Sequence, residues 1–108
     1  MKIKKSHYLV CIATLVARED KMEELLIAMS ELKKLSPKES GCLRYELHQD
    51  NENPNIFTFI DRFNDETAFT YHCEQDYVKH YFDEVLPQLV DSMNISTHRE
   101  IEFGGDVV

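Results

Sequence analysis

The segment YLVCIATLVA at residues 8–17 is apolar on both faces of the strand that it predicts. Val10 and Ile12 point to one face, while Leu9 and Cys11 point to the other, and the alternation continues to the end of the segment. A strand that is covered by other structure on both sides has this pattern. The fold must therefore bury both faces of this strand.

A helix is predicted directly after this strand, in REDKMEELLIAMSELKKL at residues 18–35. Its acidic residues come first and its lysines last, which is the order that the helix dipole favours. One helical stripe of apolar residues is expected to face the core: Met22, Leu25, Leu26, Met29 and Leu32. Ser36 and Pro37 end the helix.

Two strands that form a hairpin are predicted next. Residues 41–50 (GCLRYELHQD) alternate, with Leu43, Tyr45 and Leu47 on one face. The turn-forming run NENPN separates them from IFTFIDRF at residues 56–63, which alternates as well. A loop of about five residues between two alternating runs is typical of a hairpin.

The last third of the chain predicts a helix and a final strand. Asn64 or Asp65 caps a helix that starts at Glu66, a further helical turn covers LPQLVDSM, and residues 94–103 form the last strand. The order β-α-β-β-α-β predicts an α+β, ferredoxin-like fold with a four-stranded antiparallel sheet. A length of 108 residues is consistent with a single domain over residues 1–108.

A ferredoxin-like sheet carries helices on one face only. The other face would be left in water, although the first strand is apolar on both sides. The simplest solution is a second copy of the chain whose sheet packs face to face with the first. The sequence therefore predicts a homodimer.

The net charge of the chain limits the kinds of molecule that we expect it to bind. Twenty acidic residues against twelve basic ones give a net charge of −8, which argues against binding to nucleic acid or to an anionic membrane. Three widely spaced cysteines (Cys11, Cys42 and Cys73) indicate free thiols rather than a disulfide framework or a zinc site. We therefore expect a cytoplasmic protein without a membrane span.

The segment AFTYHCEQDYVKHYF at residues 68–82 is rich in aromatic and ionisable side chains. His72, Asp76 and His80 share one helix face, but eight residues of helix rise about 12 Å, so the two histidines are too far apart to bind one metal ion. Tyr77 points away from His72 on a continuous helix, and a break near Gln75 would be needed to bring both to one pocket. No metal is expected here.

Asp61 and Arg62 point to opposite faces of the third strand. Asp61 shares its face with phenylalanines, so it is either a second acid or base or one half of a buried pair. Arg62 is a candidate ligand of the substrate, and the alternative is a salt bridge across the dimer to Glu46 or Glu100.

The chain resembles the antibiotic biosynthesis monooxygenase (ABM) domain from about residue 8 to residue 103. The resemblance depends on GCLRYELHQD in the second strand, PNIFTFIDRFND in the third strand and its exit, and ETAFTYH in the second helix. It implies a dimeric α+β barrel with a pocket between the sheet and the helices of each subunit. Some members of this family oxidise small aromatic molecules or quinols without a cofactor.

The resemblance also implies roles for particular residues. His72 occupies the place of the family's helix histidine and would act as the base, assisted by Tyr77 and Asp61. A histidine with a pKa of about 6.5 can accept a proton from an acidic phenol at neutral pH. The remaining candidates would bind the substrate: Tyr45, Phe57, Phe59, Phe69 and Arg62.

Two departures from the family pattern leave alternatives open. Phe63 stands where the family often has tryptophan, and Tyr77 stands where a second histidine is common. The absence of tryptophan argues against the haem-degrading members, so no cofactor is expected. An isomerase of a small, phosphorylated quorum-signal-like metabolite and a non-catalytic ligand-binding protein remain alternatives to the oxygenase.

Overall fold

The strand β2 (Leu9–Ala17) lies inside a four-stranded antiparallel sheet whose order is β3-β4-β2-β5. The other three strands are β3 (Cys42–Gln49), β4 (Ile56–Phe63) and β5 (Val90–His98). This computed structural model describes residues 2–104. The strand order and the helical crossovers confirm the predicted ferredoxin-like α+β fold.

The helices cover one face of the sheet. Helix α1 (Met22–Leu35) follows a short 3-10 turn at Glu19–Lys21. The second crossover comprises α2 (Glu66–Glu74), α3 (Asp76–Lys79), a π-helical segment (His80–Val85) and α4 (Leu86–Leu89). The side chains that β2 turns to the helices are all buried: Leu9, Cys11, Ala13, Leu15 and Ala17.

The core between α1 and the sheet is continuous. Leu25, Met29 and Leu32 from the helix are fully buried against Leu15 and Phe59 from the sheet. Leu26 was predicted to join this stripe, but it is 46% exposed. It lies on the flank of the helix, and Ala28 takes the buried position on the other side of the stripe.

The alternation predicted for β4 is confirmed, because Phe57, Phe59, Asp61 and Phe63 are all buried on the helix side. The phase predicted for β3 fails at its start. Cys42 pairs with Phe63 but Arg44 already pairs with Arg62, so an extra residue bulges at Leu43. Leu43 is consequently 51% exposed, although Tyr45 and Leu47 keep the predicted face.

The last strand differs from the prediction in its boundaries. The turn of helix ends at Leu89, and β5 begins at Val90 rather than at residue 94. The final residues 101–103 form a separate short strand, β6 (Ile101–Phe103). It pairs with β1 (Ile3–Lys5) in a two-stranded ribbon that projects beyond the main sheet.

Candidate functional site

A cavity of about 250 Å³ lies between the sheet and the second helical crossover. Three strands contribute to its floor, through Cys11 and Ala13 of β2, Asp61 of β4 and Ile95 of β5. Its walls come from the helical side: Phe69, His72, Cys73, Val78, Lys79, Phe82 and Asp83. The lining is mostly apolar and includes a few ionisable groups, as is usual for small-molecule sites.

Helix α2 is fixed at both its start and its side. The Asp65 carboxylate accepts a hydrogen bond of 2.8 Å from the Ala68 N–H and so caps the helix. Gly41, just before β3, lies so close to the helix that a Cβ there would be 2.5 Å from Ala68 Cβ. The absence of a side chain at residue 41 therefore lets the preceding loop lie against the helix that carries His72.

That loop delivers a buried acid to His72. Glu39 follows a 3-10 turn at Ser36–Lys38, and its Oε2 lies 2.8 Å from His72 Nδ1. Only 4% of the His72 side chain and 9% of the Glu39 side chain are exposed. Because a carboxylate can only accept a hydrogen bond, the proton in this contact lies on His72 Nδ1. In the neutral ring, Nε2 then carries the lone pair.

Tyr77 reaches the same carboxylate from the next helical segment. Helix α2 ends at Glu74, Gln75 is extended, and α3 starts at Asp76, so the chain breaks where the sequence required a break. The Tyr77 hydroxyl donates to Glu39 Oε2. Burial, followed by the hydrogen bond to Glu39, raises the pKa of Tyr77, which keeps the phenol protonated.

Asp61 is a buried acid on the floor of the cavity. It is 5% exposed, and its Oδ1 has no hydrogen-bond partner among the residues that the structure describes. Burial raises the pKa of Asp61 to about 8. A carboxyl group with that pKa is mostly protonated at neutral pH, so it can donate a hydrogen bond into the cavity.

Tyr45 connects these groups without lining the cavity. It pairs with Asp61 across the strands, and its ring centroid lies 5.9 Å from that of His72. Burial, with a smaller contribution from the Asp61 charge, raises the pKa of Tyr45. The centroid of the Phe63 ring lies 4.9 Å from that of His72. Two aromatic rings therefore pack near the imidazole.

Other sequence candidates lie elsewhere. Phe69 lines the cavity as predicted for a wall, whereas Phe57 and Phe59 belong to the core beneath α1 and do not line it. Arg62 lies on the opposite face of the sheet, with its guanidinium 4.4 Å from the centre of the Tyr8 ring. It also lies 3.5 Å from Glu100 of the same chain, whereas the alternative offered by the sequence was a salt bridge across the dimer.

The thiols near the cavity are poor nucleophiles. Burial raises the pKa of Cys11 to about 12 and also raises that of Cys73. Cys11 is buried, whereas Cys73 is exposed. Within residues 2–104, no group of three or more His, Cys, Asp or Glu side chains is arranged to hold a metal ion.

Glu39 is the residue that the sequence analysis missed. It stands in the polar run SPKES and is far from His72 in sequence. Outside a helix or strand, the sequence pattern does not distinguish a buried glutamate from an exposed one. The only available signal was the pair Pro37 and Gly41, which marks a tightly constrained loop.

Comparison with known proteins agrees with this description. The fold and cavity define a ferredoxin-like α+β protein with a small-molecule pocket between its sheet and its helices. The chain belongs to the antibiotic biosynthesis monooxygenase family, which it matches over residues 8–84.

Solved structures resemble the chain over most of its length. Protein SO0527 from Shewanella oneidensis is 36% identical with a TM-score of 0.86, and the match covers 93% of this chain and 98% of that one. Protein PA3566 from Pseudomonas aeruginosa is 28% identical with a TM-score of 0.80, covering 90% and 97%. A solved antibiotic biosynthesis monooxygenase has the same fold, with 22% identity and a TM-score of 0.77 over 83% and 95%.

A curated relative is longer than this chain. Protein sll1783 of Synechocystis is 28% identical over 82 residues, which cover 76% of this chain and 55% of the relative. The chain thus spans about half the length of the curated relative that it matches. In the described part of the chain, every helix is too short or too polar to cross a membrane.

Proposed function

We propose that the protein is a cofactor-independent monooxygenase or quinol oxidase that acts on a small aromatic or quinone-like molecule. The observation that carries the proposal is the His72–Glu39 pair, which is buried at the wall of an apolar cavity. A base in such a place can deprotonate a bound phenol, enol or acidic C–H group away from water. Membership of the antibiotic biosynthesis monooxygenase family supports this reaction class.

Proton transfer to His72 is the first step of the proposed reaction. Glu39 occupies Nδ1, so Nε2 is the nitrogen that accepts the proton of the substrate. The protonated Asp61 on the cavity floor would donate a hydrogen bond to the oxygen atom on which negative charge develops. The two groups together would stabilise the anion that reacts with oxygen.

Electron transfer to oxygen follows, because an electron-rich anion can reduce molecular oxygen directly. A quinol would lose two protons and two electrons while oxygen becomes hydrogen peroxide. An anthrone-like substrate would exchange the two hydrogens of its methylene group for one oxygen atom, and the second oxygen atom would leave as water. Neither reaction needs a further reductant.

The cavity limits the size of the substrate. A volume of about 250 Å³ is slightly below the ~300–1,000 Å³ that is typical of drug-sized ligand sites. Phe69 and Phe82 from the helical side present aromatic surfaces to a flat ligand. We therefore expect a substrate of one to three fused rings with few substituents.

A second candidate function is favoured by Lys79, whose side chain lines the cavity. A cation at that position would suit a phosphorylated metabolite, as expected for an isomerase of a quorum-signal-like molecule. The same acid and base would then move a proton between two carbon atoms without consuming oxygen. Asp83, which also lines the cavity, opposes an anionic ligand, so we rank this function second.

The open face of the sheet supports the proposed homodimer. Val10, Ile12 and Ile60 are only half-buried in a single chain, and they form a contiguous apolar surface because β2 and β4 are neighbours. A second sheet would cover this surface. Free thiols at all three cysteines favour a reducing compartment, so we also propose a cytoplasmic location.

Oxygen uptake by the purified, metal-stripped protein tests the proposal. Uptake would be recorded with a panel of quinols and anthrones for the wild type, His72→Ala and His80→Ala. We expect uptake without added cofactor, a loss of at least tenfold in His72→Ala, and little change in His80→Ala. Circular dichroism and thermal unfolding would confirm that both variants fold.

Three outcomes would contradict part or all of this proposal. Equal uptake in the wild type and His72→Ala would exclude His72 as the base. Uptake that depends on an added metal or flavin would exclude a cofactor-independent reaction. The oxidase would also be excluded if no compound in the panel supported uptake while phosphorylated ketones bound or isomerised.

A further inference from the structure

Glu39 contacts the proposed base but does not line the cavity. Its Oε2 accepts hydrogen bonds from two residues, His72 on α2 and Tyr77 on α3. We propose that Glu39 is the positioning residue of this site, which fixes the tautomer and the orientation of the His72 ring and joins the two helical segments. The activity part of this inference depends on the proposed function, whereas the tautomer part does not.

Stability alone does not account for a carboxylate at this position. Glu39 Oε1 is buried and has no hydrogen-bond partner among residues 2–104. Removing such a group from water is costly, and apolar replacements for buried ion pairs are often neutral or stabilising. A carboxylate that leaves one buried oxygen without a partner is better explained by what it does to its two neighbours.

The first effect is on the tautomer of His72. A neutral histidine carries its proton on either Nδ1 or Nε2, and the hydrogen bond made by one nitrogen selects the form. Glu39 selects the Nδ1–H form, which leaves the Nε2 lone pair for a proton from the ligand. The opposite tautomer would present an N–H group to the cavity and could not act as a base there.

The second effect is on the geometry of the cavity wall. Gln75 is extended, so no continuous helix holds α2 and α3 in register. The shared Glu39 carboxylate replaces that missing link, and the Ser36 hydroxyl lies 3.3 Å from the Tyr77 hydroxyl beside it. Tyr77 therefore acts on His72 through Glu39, rather than on the ligand as the sequence suggested.

The test uses the nitrogen resonances of the His72 ring in uniformly ¹⁵N-labelled full-length protein at pH 8. His72→Ala assigns the signal among the five histidines of the chain. We expect the Nδ1–H tautomer in the wild type. In Glu39→Leu no acceptor faces Nδ1, so the signal should move toward the Nε2–H form.

A matched control is available in the same chain. His80 Nδ1 and Glu84 Oε2 are also 2.8 Å apart, but that pair is exposed to solvent. Glu84→Gln should leave the His72 resonances unchanged. Tyr77→Phe should keep the Nδ1–H form, because the Glu39 carboxylate is retained, while it broadens the resonances of α3.

Kinetics on an active quinol would complete the test. We expect Glu39→Gln to lower kcat about 10- to 100-fold with little change in KM, as is common for groups that orient a catalytic histidine. Glu39→Asp should restore the Nδ1–H form and part of kcat. Unfolding measurements on each variant would separate these effects from loss of the fold.

An unchanged His72 tautomer in a folded Glu39→Leu protein would overturn the inference, even if kcat fell. Equal responses of the His72 resonances to Glu39→Leu and Glu84→Gln would overturn it as well. If no quinol or anthrone supported oxygen uptake, the proposed oxidase would fail. The tautomer measurement would still decide the role of Glu39.

Discussion

This molecule contains two histidine–glutamate pairs whose N–O distances are equal and whose exposure to solvent differs. His72 Nδ1 and His80 Nδ1 each lie 2.8 Å from a glutamate Oε2. The side chains of His72 and Glu39 are 4% and 9% exposed, whereas those of His80 and Glu84 are 56% and 70% exposed. The pairs differ in their exposure to solvent and in the number of residues that separate their two members along the chain.

The comparison shows that a contact distance does not measure a contribution to function. Water screens the exposed pair, and its two members are neighbours on one helical face. The buried pair joins a loop to a helix and lies beside a cavity, and loss of Glu39 would leave the His72 Nδ1–H without an acceptor. The following predictions separate the two pairs, from the largest expected effect to the smallest.

Removal of each glutamate should affect stability very differently. Glu39→Ala leaves the buried His72 Nδ1–H without an acceptor and the Tyr77 hydroxyl with only Ser36 Oγ, and we expect a loss of about 3–5 kcal/mol in the free energy of unfolding. Glu84→Ala should cost no more than about 0.5 kcal/mol. Urea denaturation of both variants at pH 7 measures the difference.

A smaller change provides the control for this prediction. Glu39→Gln keeps the size of the side chain and one acceptor oxygen, so its cost should fall between those of the two alanine variants. If Glu39→Ala does not fold, the comparison between Glu39→Gln and Glu84→Gln replaces it. Equal costs at residues 39 and 84 would show that burial of the pair contributes nothing.

The free energy of unfolding should depend on pH through the buried Asp61, and exposed aspartates should contribute no such dependence. Burial raises the pKa of Asp61 from its ordinary 3.8 to about 8. Between these pH values the folded protein holds a proton that the unfolded chain has lost. The contribution of Asp61 to the free energy of unfolding is therefore complete below about pH 4. It is lost as the pH rises to about 8, and the free energy falls by at most about 1.4 kcal/mol per pH unit.

Replacing Asp61 by asparagine should remove this dependence. We expect Asp61→Asn to gain stability relative to the wild type between pH 5 and pH 8, as measured by urea denaturation at one-unit steps. Asp91→Asn, at an exposed position on β5, is the control and should shift the whole curve by a constant amount. Parallel curves for wild type and Asp61→Asn would contradict the raised pKa.

The close approach of the Glu39 loop to α2 should depend on Gly41. A methyl group at residue 41 would lie 2.5 Å from Ala68 Cβ, and we expect Gly41→Ala to cost about 1–3 kcal/mol in the free energy of unfolding. It should also separate Glu39 from His72 and move the His72 ring resonances. Ala68→Gly in the same chain should restore both, and failure of the double variant to recover would rule out this clash as the cause.

The sequence predicted the fold well where periodicity decides the structure. The alternation of Phe57, Phe59 and Phe63 placed Asp61 on the helix side of β4, and the structure agrees. The prediction failed for Leu43, where a bulge shifts the alternation of β3 by one residue. Nothing in the sequence CLRYEL marks this bulge, which exposes Leu43. A bulge depends on the pairing of two strands, which a single strand pattern does not contain.

The candidate site was predictable only in part. The position of His72 followed from the family resemblance, and the need for a break near Gln75 followed from the helical angle between His72 and Tyr77. Glu39 was not predictable, because it comes from a loop whose path is set by the packing of Gly41 on α2. A residue brought into a site by tertiary packing leaves no periodic signal in the sequence.

Helix α2, which carries His72, and helix α3, which precedes His80, also differ at their starts. Asp65 caps α2 through the Ala68 N–H, whereas Gln75 makes no side-chain cap for α3. Asp65→Ala should therefore cost about 1 kcal/mol in the free energy of unfolding, and Asp65→Asn should cost much less, since asparagine caps equally well. Hydrogen exchange should show faster opening of α2 in Asp65→Ala, with α3 less affected. Equal acceleration of both segments would mean that α2 and α3 open together, so that the shared Glu39 carboxylate, rather than the cap, sets the stability of the helix that carries His72.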